Sequence, residues 1–393
     1  MADAATLSSI PVIDTDTHVS EPYDLWTSRV PTKYADQVPV VETWEATGSK
    51  HWRIGDTWLA ATGFFAHAGS ADYPPAGNYR NLEDADPGSW DPVERLKRMD
   101  EHGIHAQVLY PNIIGFEAPL FAQLGDELSI ICTQAYNDFL TEFASVDPKR
   151  FVPVAMVPFW DIDASLAEIK RAHANGHRGV LFANKFEQIG LPGFTEPHWD
   201  PIYALCQDLE LSVNFHVGFA GMREGTHTGK AKLEREASYD ARQSARYTSV
   251  GIMGNADCIA NIIASGLAER FPRLPFVSVE SGMGYLPYLM ESMDWHWKGY
   301  GAHRTHPTMP SEIFRRQCYG TFWFERDTLG LLEKYPDNFM FETDYPHPTA
   351  MSPGPASPAD RPGDHIVEAF RDVPEDVARK ALHGNAARIY HLD

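Results

Sequence analysis

The stretch Ile13-Asp14-Thr15-Asp16-Thr17-His18-Val19-Ser20-Glu21, close to the start of the chain, decides the fold prediction. In a β-strand every second side chain points the same way, so Asp14, Asp16 and His18 share one face. An unpaired carboxylate is costly to bury, whereas a divalent cation offsets its charge. The run therefore predicts a strand that ends in a metal site. Taken alone, it also fits an N-terminal strand with a solvated edge.

Composition and charge narrow the class of protein. The chain has 393 residues, of which 43% are hydrophobic, enough for a sizeable core. Its net charge of -21 repels phosphate backbones and anionic lipids, so we expect neither a nucleic-acid nor a membrane partner. No apolar run approaches the roughly 20 residues that span a bilayer, and the N-terminal residues do not resemble a signal peptide. We therefore expect a cytoplasmic protein with four buried, unpaired cysteine thiols.

Seven further apolar segments follow the first strand, separated by helical sequence. They are Ile104–Tyr110, Phe151–Val157, Gly179–Phe182, Leu211–His216, Leu274–Glu280, Cys318–Phe324 and Asn338–Asp344. Eight strands that alternate with helices predict an α/β fold, a (β/α)8 TIM barrel, with a doubly wound open sheet as the alternative. We expect one domain over residues 1–393. It carries an aromatic-rich insertion at 22–91 and a loop insertion after strand five, at 218–247, over the barrel mouth.

Metal-type residues stand at the carboxyl ends of several predicted strands, where the chemistry of such barrels is located. They are Asp16 and His18 on strand one, His216 on strand five, Glu280 on strand six and Asp344 on strand eight. Each alone has an ordinary structural explanation, such as a hydrogen-bonded core histidine or a helix cap. Together they would leave several unpaired charges at one barrel mouth unless a cation were present. Their joint placement therefore predicts a metal centre.

These motifs resemble a known family, the amidohydrolase-related group of the amidohydrolase superfamily. The group includes aminocarboxymuconate semialdehyde and resorcylate-type decarboxylases, and it implies a metal-bearing TIM barrel. The resemblance rests on Asp16-x-His18, His216, the run Glu342-Thr343-Asp344-Tyr345-Pro346-His347 and the run Gly384-Asn385-Ala386-Ala387-Arg388-Ile389-Tyr390. The metal ligands that it implies are Asp16, His18, His216 and Asp344.

Two departures from the family pattern make the predicted site rich in carboxylates. Decarboxylases and hydrolases of this family usually carry a catalytic histidine where strand six here ends in Glu280, and many carry His or Glu where this chain has Asp16. Further candidate ligands are Glu21, Glu280, His296 and His347. One zinc ion requires about four ligands, whereas two histidines with several carboxylates suit two iron or manganese ions. We therefore expect a divalent metal, two Fe and/or Mn ions, with Zn as the alternative.

The acidic site is similar to a small hydroxylase branch of the superfamily, exemplified by 2-aminoisobutyrate hydroxylase. That similarity predicts a dinuclear Fe/Mn monooxygenase that hydroxylates an aliphatic C–H bond of a small carboxylic or amino acid. His18 and His216 would hold the ions, Glu280 or Asp344 would bridge them, and an external reductant would be needed.

Two alternatives remain open. One is a mononuclear Zn or Mn hydrolase or nonoxidative decarboxylase, in which Asp344 is the base and His347 assists. The other is a non-catalytic barrel subunit. We also expect a homo- or hetero-oligomer with a related barrel subunit.

Aromatic side chains before residue 91 and after strand five are candidates for a roof over a small-molecule substrate. Excluding water suits an oxygenase and a decarboxylase equally, and peripheral packing or a subunit interface is the alternative. The candidate roof residues are Phe64, Phe65, His67, Tyr73, Tyr79, Phe219, Met222 and Tyr239. The candidates to hold a substrate carboxylate are Lys185, Arg223 and Arg246.

Overall fold

Eight parallel strands form the centre of the molecule in the computed structural model, which describes residues 2–73, 80–219 and 240–392. Numbered along the whole chain, they are β1 (Val12–His18), β5 (Ile104–Tyr110), β6 (Phe151–Ala155), β7 (Gly179–Leu181), β8 (Ser212–His216), β9 (Phe276–Val279), β10 (Cys318–Phe322) and β11 (Phe339–Phe341). Each of them pairs in parallel with the next one along the chain. All eight predicted strands are present, and the predicted TIM barrel is confirmed.

The barrel closes between its first and last strands. An isolated parallel bridge joins Thr17 to Tyr345. The backbone N–H of Asp344 donates to the Asp16 carbonyl at 2.9 Å, and the N–H of His18 donates to the Tyr345 carbonyl at 2.7 Å. The hydrogen bonds that close the barrel therefore involve the same residues that the sequence proposed as metal ligands.

Helices flank the strands, and local sequence explains where several of them begin and end. Helix α3 (Pro92–His102) begins after Asp91, whose carboxylate accepts the N–H groups of Val93 and Glu94, and it ends at Gly103, which has a φ of 73°. In the described ranges, no helix has the length and apolar composition needed to cross a membrane. The other helices are α1 (Ala4–Ser8), α2 (Leu25–Arg29), α4 (Ile113–Phe116), α5 (Ala118–Ala122), α6 (Asp126–Ala144), α7 (Ile162–Ala174), α8 (Asp200–Asp208), α9 (Ala241–Ile252), α10 (Asn255–Ala264), α11 (Leu267–Arg270), α12 (Leu286–Gly299), α13 (Pro310–Gln317), α14 (Leu331–Lys334), α15 (Pro362–Ala369), α16 (Glu375–Arg379) and α17 (Asn385–Tyr390).

The segment before α3 carries a small antiparallel sheet of strands β2 (Val40–Trp44), β3 (Ser49–Ile54) and β4 (Thr57–Ala61). A tight turn at Gly55 and Asp56 joins β3 to β4. Trp26 and Trp52 are fully buried, with ring centroids 5.0 Å apart in an edge-to-face arrangement. This aromatic pair packs the segment against α6, because the Trp26 indole N–H donates to the Cys132 carbonyl at 3.2 Å.

The interior of the barrel contains a buried polar network below the strand ends. The Tyr390 hydroxyl, carried by the last helix, donates to Asn214 Oδ1 at 2.8 Å, and the Tyr110 hydroxyl reaches the same oxygen at 3.2 Å. A Cβ added to Gly179 would lie 2.6 Å from both Asn214 Nδ2 and Ser212 Oγ. Glycine is therefore required at residue 179, because the amide of Asn214 occupies the space beside β7.

Candidate active site

Four of the predicted ligands meet at the carboxyl ends of the strands. Asp16 and His18 extend from β1, His216 ends β8, and Asp344 follows β11. His18 Nε2 lies 3.0 Å from His216 Nε2, 3.5 Å from Asp16 Oδ1 and 3.7 Å from Asp344 Oδ1. All four side chains are buried. The ligand atoms of Asp16, His18 and His216 lie within 4.8 Å of one another, and so do those of His18, Asp344 and His347, a spacing that suits ligands of a cation.

The protonation of the two histidines follows from their outer hydrogen bonds. His18 Nδ1 lies 2.9 Å from the Pro111 carbonyl, and His216 Nδ1 lies 2.7 Å from the Val217 carbonyl. Because a carbonyl only accepts, each Nδ1 carries the hydrogen, and each neutral ring presents the lone pair of Nε2. The two lone pairs face each other at 3.0 Å. This arrangement is repulsive by itself and becomes favourable around a cation.

The Asp16 carboxylate gives an independent test of a metal. It is fully buried, and neither of its oxygens has a hydrogen-bond partner among the described residues. Its Oδ2 lies 3.4 Å from His216 Nε2. Desolvation, with a smaller contribution from the charges of Asp344 and Glu280, raises the pKa of Asp16 well above its usual range. A buried carboxylate without donors is costly, so the residues present fit a divalent cation.

Asp344 is held by its neighbours along the chain. The Thr349 hydroxyl donates to Asp344 Oδ2, and His347 Nδ1 lies 2.9 Å from Asp344 Oδ1. His347 Nε2 lies 2.7 Å from Asn112 Oδ1, and the His347 ring stacks on His18 at a centroid distance of 3.7 Å. Burial raises the pKa of Asp344 to about 7 and lowers that of His347 well below its usual value. Despite this close contact, Asp344 Oδ1 has no hydrogen bond to any described residue, so it is available to a cation.

Glu280 extends from the end of β9 beside this cluster. Its backbone has a φ of 53°, and Asp344 has a φ of 57°, left-handed values that non-glycine residues adopt mainly at functional sites. Glu280 Oε2 lies 3.7 Å from His216 Nδ1, and Thr349 Oγ1 lies 3.5 Å from Oε1. Desolvation, then the charge of Asp344, raises the pKa of Glu280 to about 8. The carboxyl is thus protonated near neutral pH in the absence of a metal.

Two other candidate ligands lie elsewhere. Glu21 is buried, but its Oε1 accepts the backbone N–H groups of Asn112 at 3.0 Å and Ile113 at 2.8 Å, where α4 begins. His296 is exposed near the end of α12, with its ring 6.0 Å from that of Tyr300. Neither is among the groups whose ligand atoms converge. Glu21 instead fixes the loop that carries Asn112, the partner of His347.

An aromatic cavity of about 430 Å³ opens above the cluster. Phe65 and Phe116 form one wall, with stacked rings 5.1 Å apart, and residues of α9 form the opposite side. The polar lining consists of Asn184, Lys185, His216, Asn255, Glu280 and His347 among other residues. A planar molecule in this cavity would therefore pack against this aromatic wall and lie near His216, Glu280 and His347.

The other residues that the sequence predicted to contact the substrate do not all line the aromatic cavity. His67 lines a second cavity, described below, and burial lowers its pKa to about 4. Arg246 is exposed on α9, where its Nε donates to Gln243 Oε1 at 3.0 Å and its guanidinium lies 4.2 Å from the Tyr247 ring. Tyr73 is exposed. The residues outside the described ranges are Tyr79, Met222, Arg223 and Tyr239.

Several residues that support the site carry no motif. Arg95 is fully buried on α3, donates to the carbonyl of His18 at 2.6 Å and lies 4.5 Å from the Tyr345 ring. The sequence indicates the burial of Arg95 only through helical spacing, because Arg95 lies four residues before Met99 and so on the same face of α3. Glu342 is buried just after β11, two residues before Asp344, and its Oε2 accepts the N–H of Glu280 at 3.3 Å. It belongs to the run 342–347 that carries the family resemblance, but the sequence assigned it no role.

Comparison with known proteins supports this architecture. The amidohydrolase family model matches residues 13–392. The 2-amino-3-carboxymuconate-6-semialdehyde decarboxylase of Dictyostelium discoideum is 24% identical over 329 residues, which cover 79% of this chain and 80% of that protein.

Solved structures share the fold across almost the whole chain. An amidohydrolase from Mycobacterium avium subsp. paratuberculosis has a TM-score of 0.72 at 20% identity, covering 97% of this chain and 99% of its own. A dihydroxybenzoic acid decarboxylase from Polaromonas sp. JS666, with bound manganese and 2-nitroresorcinol, has a TM-score of 0.57 at 19% identity and covers 97% of each chain. The chain therefore belongs to the amidohydrolase family, in the group related to aminocarboxymuconate semialdehyde decarboxylase.

Proposed function

We propose that the protein is a metal-dependent nonoxidative decarboxylase of a small aromatic or conjugated carboxylic acid. The observation that carries this proposal is the joint placement, at one aromatic cavity, of a cation-binding cluster and the carboxyl of Glu280, whose pKa is raised by burial. The decarboxylase relatives support it, and they favour this redox-neutral alternative over the oxygenase predicted first from the sequence. Nothing in the comparisons supports iron or monooxygenase chemistry.

The metal would be held by Asp16, His18 and His216, which form one converging group, and by Asp344, whose Oδ1 lies 3.7 Å from His18 Nε2. When bound, it supplies a Lewis acid that orients an oxygen of the substrate and offsets negative charge. Manganese is bound in the Polaromonas decarboxylase, which supports a divalent ion of this kind. The Nδ1–H groups of the two histidines keep their rings oriented through Pro111 and Val217.

The cavity walls would bind the planar body of the substrate. Phe65 and Phe116 exclude water from one face, which strengthens electrostatic contacts inside the cavity. Lys185 lies at the exposed rim and opposes the repulsion between the acidic site and an incoming carboxylate.

The chemical step needs one proton and no electron acceptor. The bond between the carboxylate carbon and the adjacent carbon breaks, CO2 leaves, and the electron pair stays on the remaining carbon. Glu280 donates its proton to that carbon to form the new C–H bond, and solvent returns a proton to the carboxylate. The His347 ring, oriented by Asn112 and 2.9 Å from Asp344 Oδ1, would stabilise the charge that develops beside this position.

The experiment is a turnover assay that measures CO2 release from a panel of hydroxybenzoates and unsaturated dicarboxylates. Glu280→Gln keeps the shape of the side chain but removes the acid, so we expect kcat to fall by about 100-fold or more, with KM little changed. Glu187→Gln, at a carboxylate outside all three groups of candidate ligands, is the control. Full activity of Glu280→Gln, or no turnover of any panel member by the metal-loaded protein, would overturn the proposal.

A second ion is favoured by one observation, a further group of ligand atoms. Asp16, Glu280 and Asp344 carry oxygens within 4.8 Å of one another, beside the two histidines. Two equivalents of Fe or Mn with substrate-dependent O2 uptake would establish the dinuclear hydroxylase, which alone needs an external reductant. One equivalent of Mn or Zn without O2 uptake would establish the decarboxylase. The homo- or hetero-oligomer stays a prediction, which sedimentation of the purified protein tests.

A further inference from the structure

A second cavity, of about 400 Å³, adjoins the candidate active site on the other side of His347. It shares only His347 and Pro348 with the aromatic cavity. Its floor includes Thr349, whose hydroxyl donates to Asp344. The segment 347–349 therefore separates two cavities of similar volume, and both of them contact groups of the active site.

Two histidines that line this cavity, His67 and His365, each have a buried Nε2 without a hydrogen bond to any described residue. His67 is 7% exposed, and its Nε2 is buried without a hydrogen bond to any described residue. The backbone N–H groups of His67 and Ala68 both donate to the Pro346 carbonyl, at 2.8 and 3.0 Å, so the imidazole is held in place. A buried ring nitrogen without a partner is costly, and a ligand with a hydrogen-bonding group removes that cost.

The charged groups that line the cavity are already paired. Arg326 lies 3.4 Å from Asp360 and 3.0 Å from Glu368, and Asp72 lies 3.8 Å from Arg80. No charge of the described lining is therefore left over to attract an ionic ligand. The wall beside His67 is apolar, with Trp323 and Met351 buried and Phe324, Pro348 and Pro358 around them. The cavity thus combines an apolar wall with neutral polar groups, among them the unpaired Nε2 of His67.

We propose that this second cavity binds a neutral, hydroxyl-bearing aromatic molecule, whose hydroxyl hydrogen-bonds to His67 Nε2 and whose ring packs on Trp323 and Met351. Binding of a carboxylate is disfavoured there, because the carboxylate would lose its hydration and would find no unpaired cation in the cavity to replace it. A hydroxybenzoate that has lost CO2 is a neutral phenol of this class. The assignment of the cavity to the reaction product rests on the proposed function, whereas the binding itself does not.

The test is a titration of the metal-loaded protein with 4-fluorophenol and, separately, 4-fluorobenzoate, followed by ¹⁹F NMR. Ala356→Trp fills the second cavity, Val250→Trp places the same side chain at the aromatic cavity, and His67→Phe removes the imidazole but keeps an aromatic ring. We expect saturable phenol binding that Ala356→Trp weakens at least tenfold and His67→Phe weakens about tenfold, the effect of one hydrogen bond. Val250→Trp leaves phenol binding within twofold.

Three results would overturn the proposal: no saturable phenol binding, phenol binding that only Val250→Trp weakens, or benzoate binding that Ala356→Trp weakens equally. Since Ala356→Trp can also disturb folding, His67→Phe, with thermal unfolding of each variant, keeps the comparison interpretable. Phenol binding requires no turnover, so its failure and the failure of the decarboxylase assay are separate results.

Discussion

Replacing Glu21 by Gln changes the pH dependence of stability in a direction that its burial determines. Desolvation raises the pKa of this carboxyl to about 7 in the folded protein, from an ordinary value of 4.5. As the pH rises, the unfolded chain therefore loses this proton at a lower pH than the folded protein does. The free energy of unfolding consequently falls between about pH 4.5 and about pH 7. Glutamine does not titrate, and its side-chain oxygen still accepts the N–H groups of Asn112 and Ile113.

The size of the effect follows from the two pKa values. A difference of about 2.5 between them corresponds to about 3.4 kcal/mol at high pH. Between pH 5.0 and 8.5 the change is about 2.6 kcal/mol, because part of the loss has already occurred at pH 5.0. We expect the stability of Glu21→Gln relative to the natural protein to increase by that amount over this range.

The assay is urea unfolding of the metal-free protein at both pH values, with the free energies of unfolding compared between variants. Glu45→Gln, at an exposed carboxylate in the turn after β2, is the matched control and should show no such change. Equal pH dependence of Glu21→Gln and the natural protein would refute the reasoning. The reasoning would also be refuted if the natural protein gained stability relative to Glu21→Gln between pH 5.0 and pH 8.5.

Three further predictions concern the metal and the packing around it. If the metal is present at about 100–1,000 times its Kd, removing it with a chelator should lower the Tm of the natural protein by about 3–5 °C in calorimetry. Asp16→Asn should bind the metal at least about 100-fold more weakly, so chelation should not change its Tm. Arg95→Met should cost about 3 kcal/mol in urea unfolding, because the His18 carbonyl loses a charged donor. Gly179→Ala should cost about 1–3 kcal/mol in the same assay, because its Cβ would lie 2.6 Å from Asn214 Nδ2.

The barrel and the centre of the site were predictable from the sequence for one physical reason. Buried parallel strands are short apolar runs, and a parallel barrel brings their carboxyl ends together, so Asp16, His216 and Asp344 meet although they are far apart in the chain. Strand alternation specifies side-chain direction only inside a strand. Glu21 lies beyond the end of β1, so its direction toward α4 had no sequence signal.

The supporting residues were missed for a related reason. Asn112 and Thr349 are neutral residues in irregular segments, where neither periodicity nor charge marks them. Their roles arise from contacts between distant parts of the chain, as in the 2.7 Å contact between Asn112 and His347. Such contacts depend on the three-dimensional path of the loops, which local sequence patterns do not encode.

The closure of the barrel by Asp16 and Asp344 has a consequence for how the protein is made. The two residues are synthesised far apart in time, since a ribosome adding about 5–20 residues per second needs roughly 15–65 s to pass from one to the other. A nascent chain therefore presents Asp16 and His18 long before the last ligand exists. The full set of ligands forms only when the final strand docks, so high-affinity metal capture is a property of completed chains and marks the end of folding.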